Sequence, residues 1–301
     1  MRYVVTGATG FIGAEFILTL LNAGNTVYAI GRNETKARTI LPVSDSLNFV
    51  KAELSEFKDL DSKIPEADVF VNFAWDGITV SGRDMTDVQK LNIQYAKEAM
   101  QAAKRMGCSL FVETGSQAEY GIVNEVISED TPCNPFSEYG KAKLALSKEC
   151  AELSLAIGIK YLHLRIFSVF GLRDHEHTLI KTSIEKFQQN IPVDLSPCTQ
   201  NWNFLYVKDA AKQIMLLCEH AVQSESYQSE VFNIASDDTR ALKEYMLELK
   251  SVLHSTSELN FGAVQSARIV SLNPDINKLK KAINFVSSYT FADAIREMTK
   301  Q

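Results

Sequence analysis

Thr6-Gly7-Ala8-Thr9-Gly10-Phe11-Ile12-Gly13 is the stretch on which the reading of the whole chain turns. Ahead of it stands Tyr3-Val4-Val5, a short apolar run that reads as a buried parallel strand. Behind it, from Phe11 to Leu21, apolar residues fall at 12, 16, 17, 20 and 21, the spacing of one helix face. Three glycines therefore mark the place where a strand turns into a helix. Gly7 allows the tight turn, Gly10 lets a diphosphate approach the backbone, and Gly13 lets the helix pack closely on the strand. The first N–H groups of the helix and its dipole then face the phosphates. The spacing is Gly-x-x-Gly-x-x-Gly, not the commoner Gly-x-Gly-x-x-Gly. A glycine triplet alone says little; a strand before it and a helix after it make it a dinucleotide-binding signature.

Outward from this turn the chain alternates. A second strand, Thr26 to Ile30, follows Asn22-Ala23-Gly24, whose glycine suits a helix C-cap. It ends in Gly31-Arg32-Asn33, where a nucleotide-binding unit meets the adenosine ribose. An acid there accepts from the 2′-hydroxyl of NAD, whereas an arginine accommodates the 2′-phosphate of NADP. Arg32 thus favours NADP, with a plainly solvated arginine as the alternative. The third strand, Leu47 to Ala52, leads to Glu53-Leu54 at the adenine pocket. The fourth, Asp68 to Phe73, runs into Ala74-Trp75-Asp76-Gly77. A long helix, roughly 84 to 106, carries Asn92. The fifth strand, Ser109 to Glu113, ends in Thr114-Gly115-Ser116-Gln117-Ala118-Glu119-Tyr120-Gly121. Asn134-Pro135-Phe136 opens the next helix, and the sixth strand spans Lys160 to Phe167. Strands separated by helices indicate a doubly wound parallel sheet. Beyond Gly171 the rhythm loosens. Helices at 176–189, 208–221, 241–253 and near 290–299 mix with strands at Trp202–Val207 and Val231–Ala235. The expected division is residues 1–170 as the dinucleotide-binding domain and 171–301 as a smaller substrate-binding lobe, with segments able to fold back on the main sheet.

Composition narrows the class. A chain of 301 residues, 46% hydrophobic and 23% charged, has room for a large core. Its net charge of −6, with no basic cluster, argues against a nucleic-acid surface. Five cysteines, at 108, 133, 150, 198 and 218, are scattered and form no Cys-x-x-Cys pair. They fit reduced thiols better than a disulfide framework or a zinc site. Met1-Arg2-Tyr3 runs straight into the first strand, and no apolar stretch approaches a membrane span. The expectation is a soluble cytoplasmic protein. His175 and His177 stand two apart, which does not put both imidazoles on one helix face, so no metal is expected and the segment reads as a polar loop and helix start near the substrate mouth. Asp237-Asp238 and Glu129-Asp130 read as solvated loop charges.

The chemistry lies in Ser116, Tyr139 and Lys143. Tyr139 and Lys143 are four apart, on one helix face. The ammonium and the positive charge of an oxidised nicotinamide both favour a phenolate. Such a tyrosine exchanges a proton with a hydroxyl while hydride passes to or from the nicotinamide. Lys143 also suits the nicotinamide ribose, and Ser116, at a strand end, suits the reacting oxygen.

With these residues in view, the chain resembles an extended short-chain dehydrogenase/reductase of the NAD-dependent epimerase/dehydratase family, whose members act on nucleotide sugars. The likeness runs from the glycine turn through Tyr139 and Lys143 into Arg165 to Gly171, Asn203 to Ala210 and Phe232 to Ala235. It implies a Rossmann-type doubly wound parallel sheet with a smaller C-terminal substrate-binding lobe, and Ser116, Tyr139 and Lys143 as the catalytic set. Asn92 becomes the helix asparagine that steadies the central strands. The cofactor is expected along Gly7, Thr9, Gly10, Phe11, Ile12, Gly13, Arg32, Glu53, Leu54, Phe73, Ala74, Trp75, Tyr139, Lys143 and Phe167. A homodimer through helices 84–106 and 136–157 is implied as well. Three departures stand out. Trp75 replaces a small residue and either borders the nicotinamide or joins the core. Ser168 stands where many relatives have asparagine, and Trp202-Asn203 where many have arginine and aspartate.

Dehydratases of this family carry an Asp-Glu pair directly after the active-site hydroxyl residue. Here those positions are Gln117 and Ala118, which cannot transfer protons, and Glu119 comes one position late. The expected activity is therefore NADPH-dependent reduction at carbon 4 of a 4-keto-deoxyhexose nucleotide. A 4-epimerase with tightly bound NAD is the close alternative. A non-catalytic dinucleotide-binding protein is the alternative from another class.

Overall fold

The computed structural model of the chain describes residues 1–79, 81–265 and 270–300. The first half runs β1 (Arg2–Thr6), α1 (Phe11–Asn22), β2 (Thr26–Gly31), α2 (Glu34–Ile40), β3 (Leu47–Lys51), β4 (Val69–Asn72), α3 (Thr86–Arg105), β5 (Leu110–Ser116) and α4 (Glu138–Ile157). Then come β6 (Lys160–Ile166), β7 (Ser168–Phe170), α5 (Leu179–Gln188), β8 (Val193–Leu195), β9 (Asn201–Tyr206), α6 (Val207–Gln223) and β10 (Ser229–Ile234). Last are β11 (Thr239–Ala241), α7 (Leu242–Val252), β12 (Leu259–Phe261), α8 (Asn277–Ile283) and α9 (Phe291–Met298).

Seven strands form one parallel sheet in the order β10-β6-β5-β4-β1-β2-β3. From β1 the chain builds outward through β2 and β3, then returns to place β4, β5 and β6 on the other side. The reversal lies between β1 and β4, and open sheets of this kind hold ligands at the carboxyl ends of such strands. Thr6 and Asn72 pair across that point, and Asn72 pairs with Glu113. The strands read as unbroken apolar runs because helices cover both faces. Tyr3 and Val5 pack with Phe16, Ile17 and Leu217 beneath α1 and α6, whereas Val4, Phe70 and Phe111 pack with Met100 and Leu146 beneath α3 and α4.

The chain after residue 170 contributes to two places. α6 packs on α1 and β10 lies beside β6 in the main sheet. β9 and β11 join β7 in a three-stranded sheet, β11-β9-β7, and β12 pairs with β8, around an aromatic core. There Phe291 lies 4.9 Å from Tyr245 and 5.8 Å from Phe204, centroid to centroid. Among the described residues no helix is long and apolar enough to cross a membrane.

Two boundaries differ from the sequence reading in ways that matter for the site. β5 does not stop at Glu113; Thr114, Gly115 and Ser116 stay in register with Leu164, Arg165 and Ile166 of β6. Partner strands hold these weak β-formers in the ladder, where propensity alone ends it. The long helix also starts later than residue 84, because Gly82–Asp84 forms a separate 3-10 turn.

At the glycine turn, Gly7 adopts a φ of 64°, in the left-handed region. A Cβ on Gly13 would come 2.4 Å from the Gly7 carbonyl oxygen. Gly13→Ala must therefore push α1 off the turn. It is expected to cost about 1–3 kcal/mol, the usual range for overpacking, and to weaken dinucleotide binding. Urea denaturation checks this; an unchanged midpoint would contradict it.

Candidate active site

Ser137 caps α4 by accepting from Gly140 N–H at 3.1 Å, which puts Tyr139 in the first turn. Gly140 lets that turn approach closely, since a Cβ there would lie 2.5 Å from the Ala118 carbonyl oxygen. This brings Tyr139 to the wall of the cleft that Ser116 also lines. Trp75 meets Tyr139 edge to face at 6.1 Å, and the Arg83 guanidinium lies 5.3 Å from the centre of the tyrosine ring. Burial pushes the Tyr139 phenol up, while Ser116 and Arg83 oppose that shift.

Lys143 is buried behind the tyrosine. Its ammonium donates to the Thr114 carbonyl at 2.6 Å and to Glu113 Oε1 at 3.4 Å, and lies 3.4 Å from the centre of the Trp75 ring. Glu113, fully buried, also accepts from Asn72 Nδ2 at 2.7 Å, and Asn72 Oδ1 accepts from Thr6. A polar chain thus crosses the ends of β1, β4 and β5 and finishes on α4. Burial pushes the Glu113 carboxyl up and the Lys143 ammonium down, and each partner's charge resists the other's shift.

Glu119 points into the sheet, not into the cleft. Its carboxylate accepts from Ser116 N–H at 2.8 Å and from Arg165 Nε at 2.9 Å, and faces His163 Nε2 at 3.0 Å. Burial alone would raise its pKa; His163, Arg165 and the Ser116 N–H outweigh that and hold it at about 2. Glu119 thereby fixes the strand end that carries Ser116. Glu129 is not the solvated charge the sequence suggested. It is half-buried and accepts from Asn233 N–H at 2.8 Å, because the loop closes over β10. Asp237 and Asp238 are likewise paired, with Lys280 and Arg240.

Two adjoining hollows, of about 290 and 320 Å³, run along the switch point. Gly7, Thr9, Gly10, Phe11, Arg32, Leu54, Phe73, Ala74 and Trp75 line the first. Ile12, Gly13, Ser116, Tyr139, Lys143 and Phe167 line the second. Glu53 is outside this lining. It caps the short 3-10 helix that follows β3, and its carboxylate stands at the rim, 3.9 Å from Arg32. Arg32 also stands 3.7 Å from Asp76, and its side chain is 61% exposed. A dinucleotide fits this cleft. No side chain caps α1, its first turn carries no acid, and the glycines leave a cradle that any Cβ would fill.

Sequence reasoning missed Lys36, Asp76 and Arg83, which line the cleft, and Gln89 behind it, whereas His175 lines the cleft in the segment the sequence placed near the substrate mouth. Gln89 was findable, since it precedes Asn92 by three on the same helix face. Its side chain accepts from Trp75 Nε1 at 2.8 Å, and Asn92 holds the backbone of Asp76 through both N–H and C=O. Asn92 therefore steadies the loop after β4. Trp75 lies on Lys143 and borders the cleft, so the two readings of it meet in one position. In the lobe, Asn203 is a buried clamp from β9 to Ser236, Asp238 and Thr239.

Residues 3–235 match the model of the NAD dependent epimerase/dehydratase family. The chain belongs to that family. It is 24% identical over 312 residues, 98% of its length and 96% of the relative's, to the uncharacterized UDP-glucose epimerase YtcB of Bacillus subtilis (strain 168). It is 22% identical over 276 residues to CDP-abequose synthase of Salmonella muenchen, covering 87% of the chain and 84% of the relative. Among solved structures, UDP-N-acetylglucosamine 4-epimerase from Methanobrevibacter ruminantium M1, in complex with UDP-N-acetylmuramic acid, superposes with a TM-score of 0.86. That match has 24% identity and covers 99% and 97% of the two chains, a likeness of fold. The family's Rossmann-type sheet is the one described above.

Glu119→Gln keeps the shape and removes the charge, leaving His163 and Arg165 unanswered. Stability should fall by about 3–5 kcal/mol near neutral pH, the usual cost of breaking a buried ion pair. Because the folded-state pKa is depressed, that difference is full above the ordinary value of 4.5 and shrinks as pH falls toward about 2. Denaturation midpoints of the two proteins across that window check it; a gap that widens in acid would refute it.

Proposed function

We propose that the protein reduces the 4-keto group of a nucleotide-linked deoxyhexose with NADPH, Ser116, Tyr139 and Lys143 forming the catalytic set. The observation that carries this reading is the ribose end of the cleft. Arg32 stands where an NAD user places an acid, exposed and held only by two contacts longer than a hydrogen bond, with Lys36 on the same wall. A 2′-phosphate would give Arg32 and Lys36 an anionic partner within hydrogen-bond reach. A cofactor recognised in this way is exchanged at each turnover, as net reduction requires.

When bound, the dihydronicotinamide supplies the hydride for the carbonyl carbon. The chain's own residues handle the oxygen. Ser116 donates a hydrogen bond to it, and Tyr139 delivers the proton that completes the alcohol. Burial keeps the phenol protonated and so suits it to the role of acid. Lys143, held by Thr114 and Glu113, supports the nicotinamide ribose. The absence of an acid at Gln117 and Ala118, and the inward turn of Glu119, argue against elimination of water. A homodimer through α3 and α4 belongs to the same proposal, and sedimentation tests it.

A second reading, 4-epimerisation with retained NAD, draws on Asp76 and Glu53 beside Arg32. Either carboxylate is a possible acceptor for ribose hydroxyls. Stoichiometry separates the two. With a panel of 4-keto sugar nucleotides, one NADPH is expected to disappear per product formed. Interconversion of two 4-hydroxy epimers without added cofactor would select the epimerase.

Two substitutions probe the residues. Arg32→Ala should erase about tenfold or more of the preference for NADPH over NADH, since a charge-assisted contact is worth roughly 1.5–3 kcal/mol. Equal affinities in the unaltered protein would remove the premise. Tyr139→Phe should lower turnover by about 10²–10⁴-fold with cofactor affinity preserved. Near-normal turnover would instead assign the proton to another donor.

A further inference from the structure

Tyr139 has two cations within its surroundings, and they are placed very differently. Lys143 is buried, and its ammonium is committed to a carbonyl, to the Glu113 carboxyl and to the face of Trp75. Its charge is answered by a carboxyl group inside the sheet. Arg83 comes from the loop before α3, is exposed, and lies 5.3 Å from the centre of the tyrosine ring.

The loop that presents Arg83 is tightly built. Gly77 adopts a φ of 70°, and a Cβ there would come 2.9 Å from Gln89 Nε2. A Cβ on Gly82 would come 2.7 Å from the Gly77 Cα. The buried Gln89 side chain donates to the carbonyls of Gly77 and Gly82, at 3.2 and 3.0 Å, while accepting from Trp75. Arg83 Nε closes the loop on the Ile78 carbonyl at 3.1 Å. One clamp therefore lays Trp75 on Lys143 and Arg83 on Tyr139.

We propose that Arg83 is the electrostatic partner of Tyr139, the cation that steadies the phenolate left when the tyrosine gives up its proton. Arg83 acts through Tyr139 and is a positioning residue. The proposal rests on Tyr139 as the proton-transfer group, whichever way the reaction runs. In the reducing direction the phenol O–H bond breaks, an O–H bond forms on the carbon-4 oxygen as hydride reaches the carbon, and solvent returns the proton to the phenolate. The charged and titratable groups around Tyr139 are Arg83 before α3, Glu113 in β5, Glu119 after β5, Lys143 on α4 and His175 at the cleft mouth. Arg83 opposes the upward push of burial and of the two glutamates.

The test is the pH profile of kcat/KM, with UDP-4-keto-6-deoxyglucose and NADPH, or UDP-glucose and NAD if epimerisation is the activity observed. The limb that disappears in Tyr139→Phe belongs to the tyrosine. In Arg83→Gln that limb should move upward by about one pH unit, the scale of one partly screened charge at this range. Arg83→Lys should restore it. Because Arg83 is exposed, added salt should move the limb of the unaltered protein upward and leave that of Arg83→Gln in place. A limb unmoved in Arg83→Gln, or a rise in KM alone, would overturn the proposal and assign the guanidinium to substrate contact or to the surface. Turnover and a limb that both survive in Tyr139→Phe would overturn the reading of Tyr139 itself.

Discussion

A carboxyl group buried in the middle of a parallel sheet has to be answered, and the answer to Glu113 organises this molecule. Asn72 donates to one oxygen and Lys143 to the other, while Thr6 completes Asn72. Three strand ends and the first turns of α4 are joined by groups that water does not reach. Unpaired, any of them would carry a desolvation cost of several kcal/mol. Paired, they fix where the lysine stands, and the tyrosine one turn earlier is fixed with it. The glycine turn then has a rigid wall opposite, so the cleft keeps its width.

A second buried set, Glu119 with His163, Arg165 and the Ser116 N–H, lies next along the same strand end. Gly115 lies between the two, with no room for a side chain: a Cβ would come 2.2 Å from His163 Nε2 and 2.3 Å from Glu119 Oε1. Strand β5 is therefore held at two successive points along one face at its last residues. That double anchoring is why Thr-Gly-Ser, poor in β-propensity, finishes the strand as a ladder and presents Ser116 at a defined position.

The parts of this arrangement that were legible in the sequence are local ones. The glycine spacing, the strand-turn-helix around it, and Tyr139 with Lys143 all lie within about one or two turns of chain, where periodicity speaks directly. Arg32 was legible for the same reason, as the last word of a strand. The partners were not. Lys143 finds Glu113 thirty residues earlier, and Glu119 finds Arg165 forty-six residues later. A single sequence shows that an acid is present, not which base will answer it, so Glu119 was read by its offset and Glu113 passed as part of a strand. Arg83 escaped because a loop brings it to the cleft without any period. In the lobe, Trp202-Asn203 was read only as a departure from arginine and aspartate; the structure shows Asn203 tying β9 to the loop after β10.

The position of Trp75 has an optical consequence. The chain has only two tryptophans, and they occupy different environments. One indole lies against an ammonium at the edge of the cleft, while the other, Trp202, packs beside Phe204 with its ring N–H buried and without a partner among the described residues. Intrinsic emission from this protein therefore carries two separable signals. One reports what enters beside Lys143, and the other reports the state of the aromatic lobe, with no label attached to either.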